Sequence, residues 1–79
     1  MNNEAKLVAA FVEALMVDES QIKDDLKYQS IPEWDSVSHM ILITEIEDVF
    51  DISIETDDVI DMSSVEKAKE IVKKYGVEI

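Results

Sequence analysis

Cysteine is missing from this chain of 79 residues, and glycine and proline occur once each, as Gly76 and Pro32. Without cysteine there is no disulfide framework and no thiolate metal site, and no redox compartment is ruled out. One glycine and one proline leave little for hairpin turns to use, which argues against a sheet of short strands. Arginine is absent too: the seven basic residues are all lysine, against 19 acidic ones, for a net charge of −12. The cationic surface that nucleic acid or anionic lipid requires is therefore lacking, and neither is expected as a partner. No apolar run reaches the ~18 residues of a membrane span. Met1-Asn2-Asn3-Glu4 does not begin the basic-then-apolar pattern of a signal peptide, so a cytoplasmic location is expected.

What is present suffices for one domain over residues 1–79, too short to divide. A chain of this size buries roughly 60–65% of its unfolded surface, and its core contributes about 3–5 kcal/mol net. The charge is unevenly placed: residues 28–66 hold 11 Asp or Glu and no Lys or Arg. Such a field steers basic proteins toward the acidic region, and it also keeps a small protein soluble.

Helical periodicity runs through three segments. Leu7, Val8, Phe11, Val12 and Leu15 make one stripe within residues 4–16. Residues 17–35 read as a long connection, polar but pinned by Ile22, Leu26, Tyr28, Ile31 and Trp34. Loops of this length are usually functional. Tyr28 and Trp34 are expected to lie as lids over helix ends. Asp35 is a good N-cap for a second helix running to about Phe50, its carboxylate accepting from Val37 or Ser38.

That second helix is apolar on two sides. His39, Leu42, Ile43, Ile46, Val49 and Phe50 cluster on one side; Val37, Met40, Ile41, Thr44 and Asp48 lie opposite, flanked by Glu45 and Glu47. A core needs only one of these faces. The other, with Val37, Met40 and Ile41 rimmed by Glu45, Glu47 and Asp48, is expected to bind partner proteins. A short helical turn is expected near residues 57–61. Ile54, Ile60 and Met62 are expected in the core with Leu42, Ile46, Ala68 and Ile71. The last helix has Ser63 as its expected cap and Glu66 reaching back in a capping box. Its buried stripe is Val65, Ala68, Ile71, Val72 and Tyr75; lysines crowd its C-terminal half, and Gly76 stands at its end. The expected fold is all-α: three longer helices, one short one and a long first loop, arranged as a small four-helix bundle.

Ser36 stands where the long loop meets the second helix. It is not a nucleophile by itself. A hydrolase built on Ser36, His39 and a carboxylate would need a strained, glycine-bearing elbow and an oxyanion hole, and neither is present. His39 reads instead as a hydrogen-bonded structural residue. The acidic residues of 45–61 lack the spacing and glycine of a calcium loop, so no metal site is expected. Enzymatic activity is not expected.

Three stretches carry a family likeness. Asp35-Ser36-Val37 matches the Asp-Ser-Leu-type motif of acyl carrier proteins. Leu42 through Ile54 resembles that family's second helix and following loop, and Ser63-Ser64-Val65 the start of its last helix. The likeness covers nearly the whole chain. Trp34 directly before the pair, with Glu33 where the family often has glycine, resembles free-standing carriers of specialised pathways. The resemblance implies 4′-phosphopantetheine, taken from coenzyme A, on Ser36, with Asp35 part of the site read by the phosphopantetheinyl transferase. It implies a phosphoprotein that holds an acyl or aminoacyl group as a thioester and presents it, as a monomer, to partner enzymes with basic docking patches. Fatty acid, polyketide or other specialised biosynthesis would be the setting. The alternative is an acidic interaction module or nucleic-acid mimic with no prosthetic group.

Overall fold

The structure is a computed structural model that describes residues 2–79. Helix α1 is Asn3–Leu15, α2 is Ser36–Phe50, α3 is Thr56–Asp61 and α4 is Val65–Lys74. A single 3-10 turn, Glu19–Gln21, interrupts the first loop. The described residues contain no strand; one isolated bridge pairs Lys27 with Ser64. The all-α expectation holds, and the helix limits fall within a residue of those expected.

Each helix starts and stops for a local reason. The Asn2 side chain accepts the Ala5 N–H at 2.7 Å and opens α1. Met16 closes it in the left-handed region, φ 56°, with its N–H on the Val12 carbonyl. Asp51, φ 54°, closes α2 in the same way. At the end of α4, Gly76 (φ 94°) gives its N–H to Lys73 and Val77 gives its own to Val72. That pair of bonds is a Schellman motif, and Gly76 occupies the position expected for it.

The cap of α4 sits one residue later than expected. Ser64, not Ser63, accepts the Lys67 N–H at 3.0 Å. The third helical residue is then Lys67 rather than Glu66, so the expected capping box cannot form. Ser63 is engaged elsewhere, its carbonyl accepting the Tyr28 N–H at 2.9 Å. The Val65 N–H goes to Leu26 and the Glu66 N–H to Asp24. The long first loop is thereby stapled along the α3–α4 connection.

Burial follows the expected stripes with exceptions. Leu7, Phe11 and Leu15 of α1, Leu42, Ile43 and Ile46 of α2, and Val65, Ala68, Ile71 and Val72 of α4 share one hydrophobic cluster. Ala10 and Ala14 join it and let α1 approach closely, while Val8 and Val12 are only half-buried. Val49, expected on the core side, is exposed, and Phe50 is half-buried, because α1 and α4 do not cover the last turn of α2 fully. Ile60, also expected in the core, is 77% exposed. A six-residue helix offers one inward face, and Asp58 occupies it.

Trp34 is no lid. It is wholly buried, its ring edge-on to Phe11 with centroids 5.3 Å apart. Tyr28 does lie at an edge, half-buried against Trp34 at 6.1 Å.

Candidate site at the start of helix α2

Four amides at a helix start have no partner inside the helix. Here three are taken by side chains. Asp35 Oδ1 accepts from Val37 at 3.1 Å and Ser38 at 2.9 Å. The Asp35 N–H goes to Ser38 Oγ at 2.9 Å, completing a capping box, and Ser38 Oγ donates to the Glu33 carbonyl at 2.6 Å. These bonds, led by the Ser38 N–H, hold the Asp35 carboxyl below the usual carboxylate range. The Ser36 N–H and Oγ have no hydrogen-bond partner among the described residues, and Ser36 is exposed. The motif thus supplies a fixed backbone carrying a free hydroxyl.

The loop before it is equally well tied. Gln29, at φ 64°, sends its N–H to the Trp34 carbonyl at 3.0 Å, and Trp34 N–H reaches Ile31 at 3.2 Å. Trp34 Nε1 donates to His39 Nδ1 at 3.0 Å. An indole N–H can only donate, so Nδ1 must accept and the imidazole proton sits on Nε2. Nε2 in turn donates to the Val59 carbonyl at 2.8 Å. His39 is the hydrogen-bonded structural residue expected, and both its ring nitrogens are committed away from Ser36. One chain of contacts, from Phe11 through Trp34 and His39 to Val59, links α1, the loop, α2 and α3.

Beside Ser36 lies a cavity of about 340 Å³, lined by Tyr28, Ser36, His39, Met40, Val59, Ile60 and Met62. Four of its seven lining side chains, Met40, Val59, Ile60 and Met62, are hydrocarbon or thioether.

The expected partner face divides. Val37, Met40 and Ile41 are exposed by 69%, 56% and 48%, beside exposed Asp48. Glu45 is half-buried. Glu47 is not a free rim charge: Oε2 accepts the Ile54 N–H at 2.8 Å and ties the α2–α3 loop to α2. Ile60, missed from the sequence, extends the apolar patch, since it and Met40 both border the cavity. The one available signal was that Val59 and Ile60 are adjacent on a short helix and cannot both point inward.

Also missed was Asp58, which is 6% exposed. Its carboxylate accepts from Lys74 Nζ at 2.6 Å and Tyr75 Oη at 2.5 Å. Hydrogen bonding from Lys74, then Tyr75, holds it below the usual carboxylate range, and the same contacts raise Lys74 and Tyr75. Among so many carboxylates, nothing in the sequence marks this one.

Comparisons with known protein families, with curated proteins and with solved structures find no match to this chain. No helix among the described residues is long and apolar enough to cross a membrane.

Proposed function

We propose that this chain is an acyl carrier domain, a four-helix bundle that bears 4′-phosphopantetheine on Ser36 and presents an acyl or aminoacyl group to partner enzymes. The observation that carries the reading is Ser36 itself: a hydroxyl free of hydrogen bonds, exposed, on a backbone locked by the Asp35–Ser38 capping box. The residues fit the group. The Ser36 N–H and the positive end of α2 favour an anion on Oγ. Only that one amide is open, because Asp35 already holds two others. When bound, the arm supplies a thiol for thioester formation, which this cysteine-free chain lacks.

The remaining residues have supporting roles. Asp35 keeps Ser36 in the first helical turn. The cavity walls Tyr28, Met40, Val59, Ile60 and Met62 offer apolar surface next to the attachment point. Val37, Met40 and Ile41 form the contact patch for partner enzymes, with Asp48 and Glu45 at its rim; the −12 charge draws basic surfaces to it. With both His39 nitrogens engaged, Ser36 has no base held against it from that side, which supports modification by an external enzyme over self-catalysed chemistry. In that modification the Ser36 Oγ–P bond forms as the coenzyme A pyrophosphate bond breaks. Adenosine 3′,5′-bisphosphate leaves, and the hydroxyl proton passes to the transferase. A monomer in the cytoplasm is the simplest setting.

Incubation with coenzyme A and a broad-specificity phosphopantetheinyl transferase tests this by intact mass. A gain of one phosphopantetheine, lost in Ser36→Ala, supports the carrier. An unchanged wild-type mass overturns it in favour of an acidic interaction module. Ser36→Ala keeps the Asp35 cap and a good helix former, so its stability stays within about 0.5 kcal/mol of wild type.

A further inference from the structure

The chain has one tryptophan and one histidine, and the structure bonds them to each other. Trp34 is wholly buried, so its indole N–H cannot turn to water in place of His39 Nδ1. Other ties hold Trp34 as well. Its carbonyl accepts from Gln29, its N–H reaches Ile31, and its ring meets Phe11 of α1 and Tyr28 of the loop. Of these ties, only the one to His39 can be removed by a proton near neutrality, because imidazole is the side chain that ordinarily changes charge there. The groups around the imidazole do not supply a counterion bonded to it. From the loop, Tyr28 faces it with ring centroids 5.2 Å apart. At the head of α2, Asp35 spends its carboxylate on the Val37 and Ser38 amides. On α3, Asp58 is turned to Lys74 and Tyr75, Asp61 pairs with Lys67, and Asp57 is exposed.

We propose that the Trp34–His39 hydrogen bond is an acid-released fastener on the loop that leads into Ser36. Protonation takes place at Nδ1, the one ring nitrogen without a proton, and sets an N–H against the indole N–H. The bond is lost, and a buried donor is left without an acceptor, which costs more than the bond itself contributed. The faces of Tyr28 and Trp34 can still meet a cation, the latter ring lying 27° from the imidazole plane, but neither replaces the lost acceptor. Nε2 keeps its proton in both states, and with it the bond to the Val59 carbonyl. The change is therefore felt on the loop side of His39 and not by α3. Nor does the helix cap yield with it: hydrogen bonding from Ser38 holds the Asp35 carboxyl below the usual carboxylate range, so Asp35 stays charged while Trp34 is released. The segment that loosens is the one just before Asp35 and Ser36. The device needs only the bare chain and is independent of any group on Ser36.

Nitrogen-15 NMR of the unmodified full-length chain, titrated from about pH 8 to pH 5, tests this with one indole and one imidazole to follow. At the alkaline end the imidazole signals are expected to show a proton on Nε2 and none on Nδ1. As acid is added, the indole Nε1–H resonance is expected to move along the imidazole's own titration curve. Melting temperatures supply a second readout. His39→Gln does not titrate, and subtracting its melting temperature from that of wild type cancels the contribution of the carboxylates. That difference is expected to fall by about 4–8 °C between the two ends of the range, because wild type alone loses the bond. The proposal is overturned if Nδ1 carries the proton at the alkaline end, if the imidazole is still neutral at the acid end, if the indole resonance stays put while the imidazole titrates, or if the melting difference is the same at both ends. Should His39→Gln fail to fold, the wild-type spectra decide alone.

Discussion

Helix α2 meets α1 and α3 by different physics. Toward α1 the contact is made by Leu7, Phe11, Leu42, Ile46 and the loop residue Trp34, all fully buried. Toward α3 it is made by a hydrogen bond from His39 to a backbone carbonyl and by a cavity. On its far side, α3 rests on a carboxylate held by a lysine and a tyrosine. Apolar contact is non-directional and lost only in proportion to the area exposed. Hydrogen bonds are directional, individually modest and exchangeable for water. A small domain that must stay folded while one part yields can place the first kind on one side of a helix and the second on the other.

The sharpest way to break the comparison is to damage the apolar side. Leu42→Ala is expected to cost about 2–5 kcal/mol, comparable to the whole net stability of so small a core. Urea unfolding followed by far-ultraviolet circular dichroism measures it. A loss under about 1 kcal/mol would mean that α1 and α2 are not the rigid half.

Acid attacks the other side. Asp58 titrates below the ordinary carboxylate value in the folded chain, so its contribution is complete above about pH 4 and is lost as pH falls through that value and below. The chain carries 19 acidic residues, so the informative quantity is a difference between two variants. The melting temperature of wild type minus that of Asp58→Asn should be positive near neutrality and shrink toward pH 3. An equal difference at both ends would place the effect of Asp58 in shape rather than charge.

Smaller effects sharpen the picture at the ends and the surface of the helices. Met16 is 87% exposed and sits in the left-handed region that glycine tolerates best. Met16→Gly is expected to stabilise by about 0.5–1 kcal/mol, read as a higher urea midpoint. Smallest of all should be the effect of Met40→Glu on the fold. Its exposure predicts stability within about 0.5 kcal/mol and an unchanged helical spectrum, while transfer to or from a partner enzyme slows. If the helical signal collapses instead, Met40 is packed, and the docking patch loses its centre.

Much of this was legible locally. The start of α2, the end of α4 at Gly76 and the inward stripes of the long helices follow from capping chemistry and the 3.6-residue period, both short-range rules. Ser36 at a capped helix start was legible for the same reason. The misreadings all concern places where distant segments compete. Ser63 lost the cap to Ser64 because the loop near Tyr28 takes the Ser63 carbonyl. Val49 continued the core stripe of α2 past the point where neighbours cover it. Ile60 gave up the inner face of α3 to Asp58, since only the fold brings Lys74 and Tyr75, sixteen and seventeen residues on, to that carboxylate.

By itself, then, the sequence determined which segments are helical, which faces turn inward and where a free hydroxyl stands, because propensity, capping and periodicity act within a few residues. The tertiary structure alone decided that Trp34 is buried under α1, that His39 bridges the loop to α3, and that one carboxylate among nineteen acidic residues is taken out of water. Each of these depends on a partner far along the chain, and only packing brings the two together.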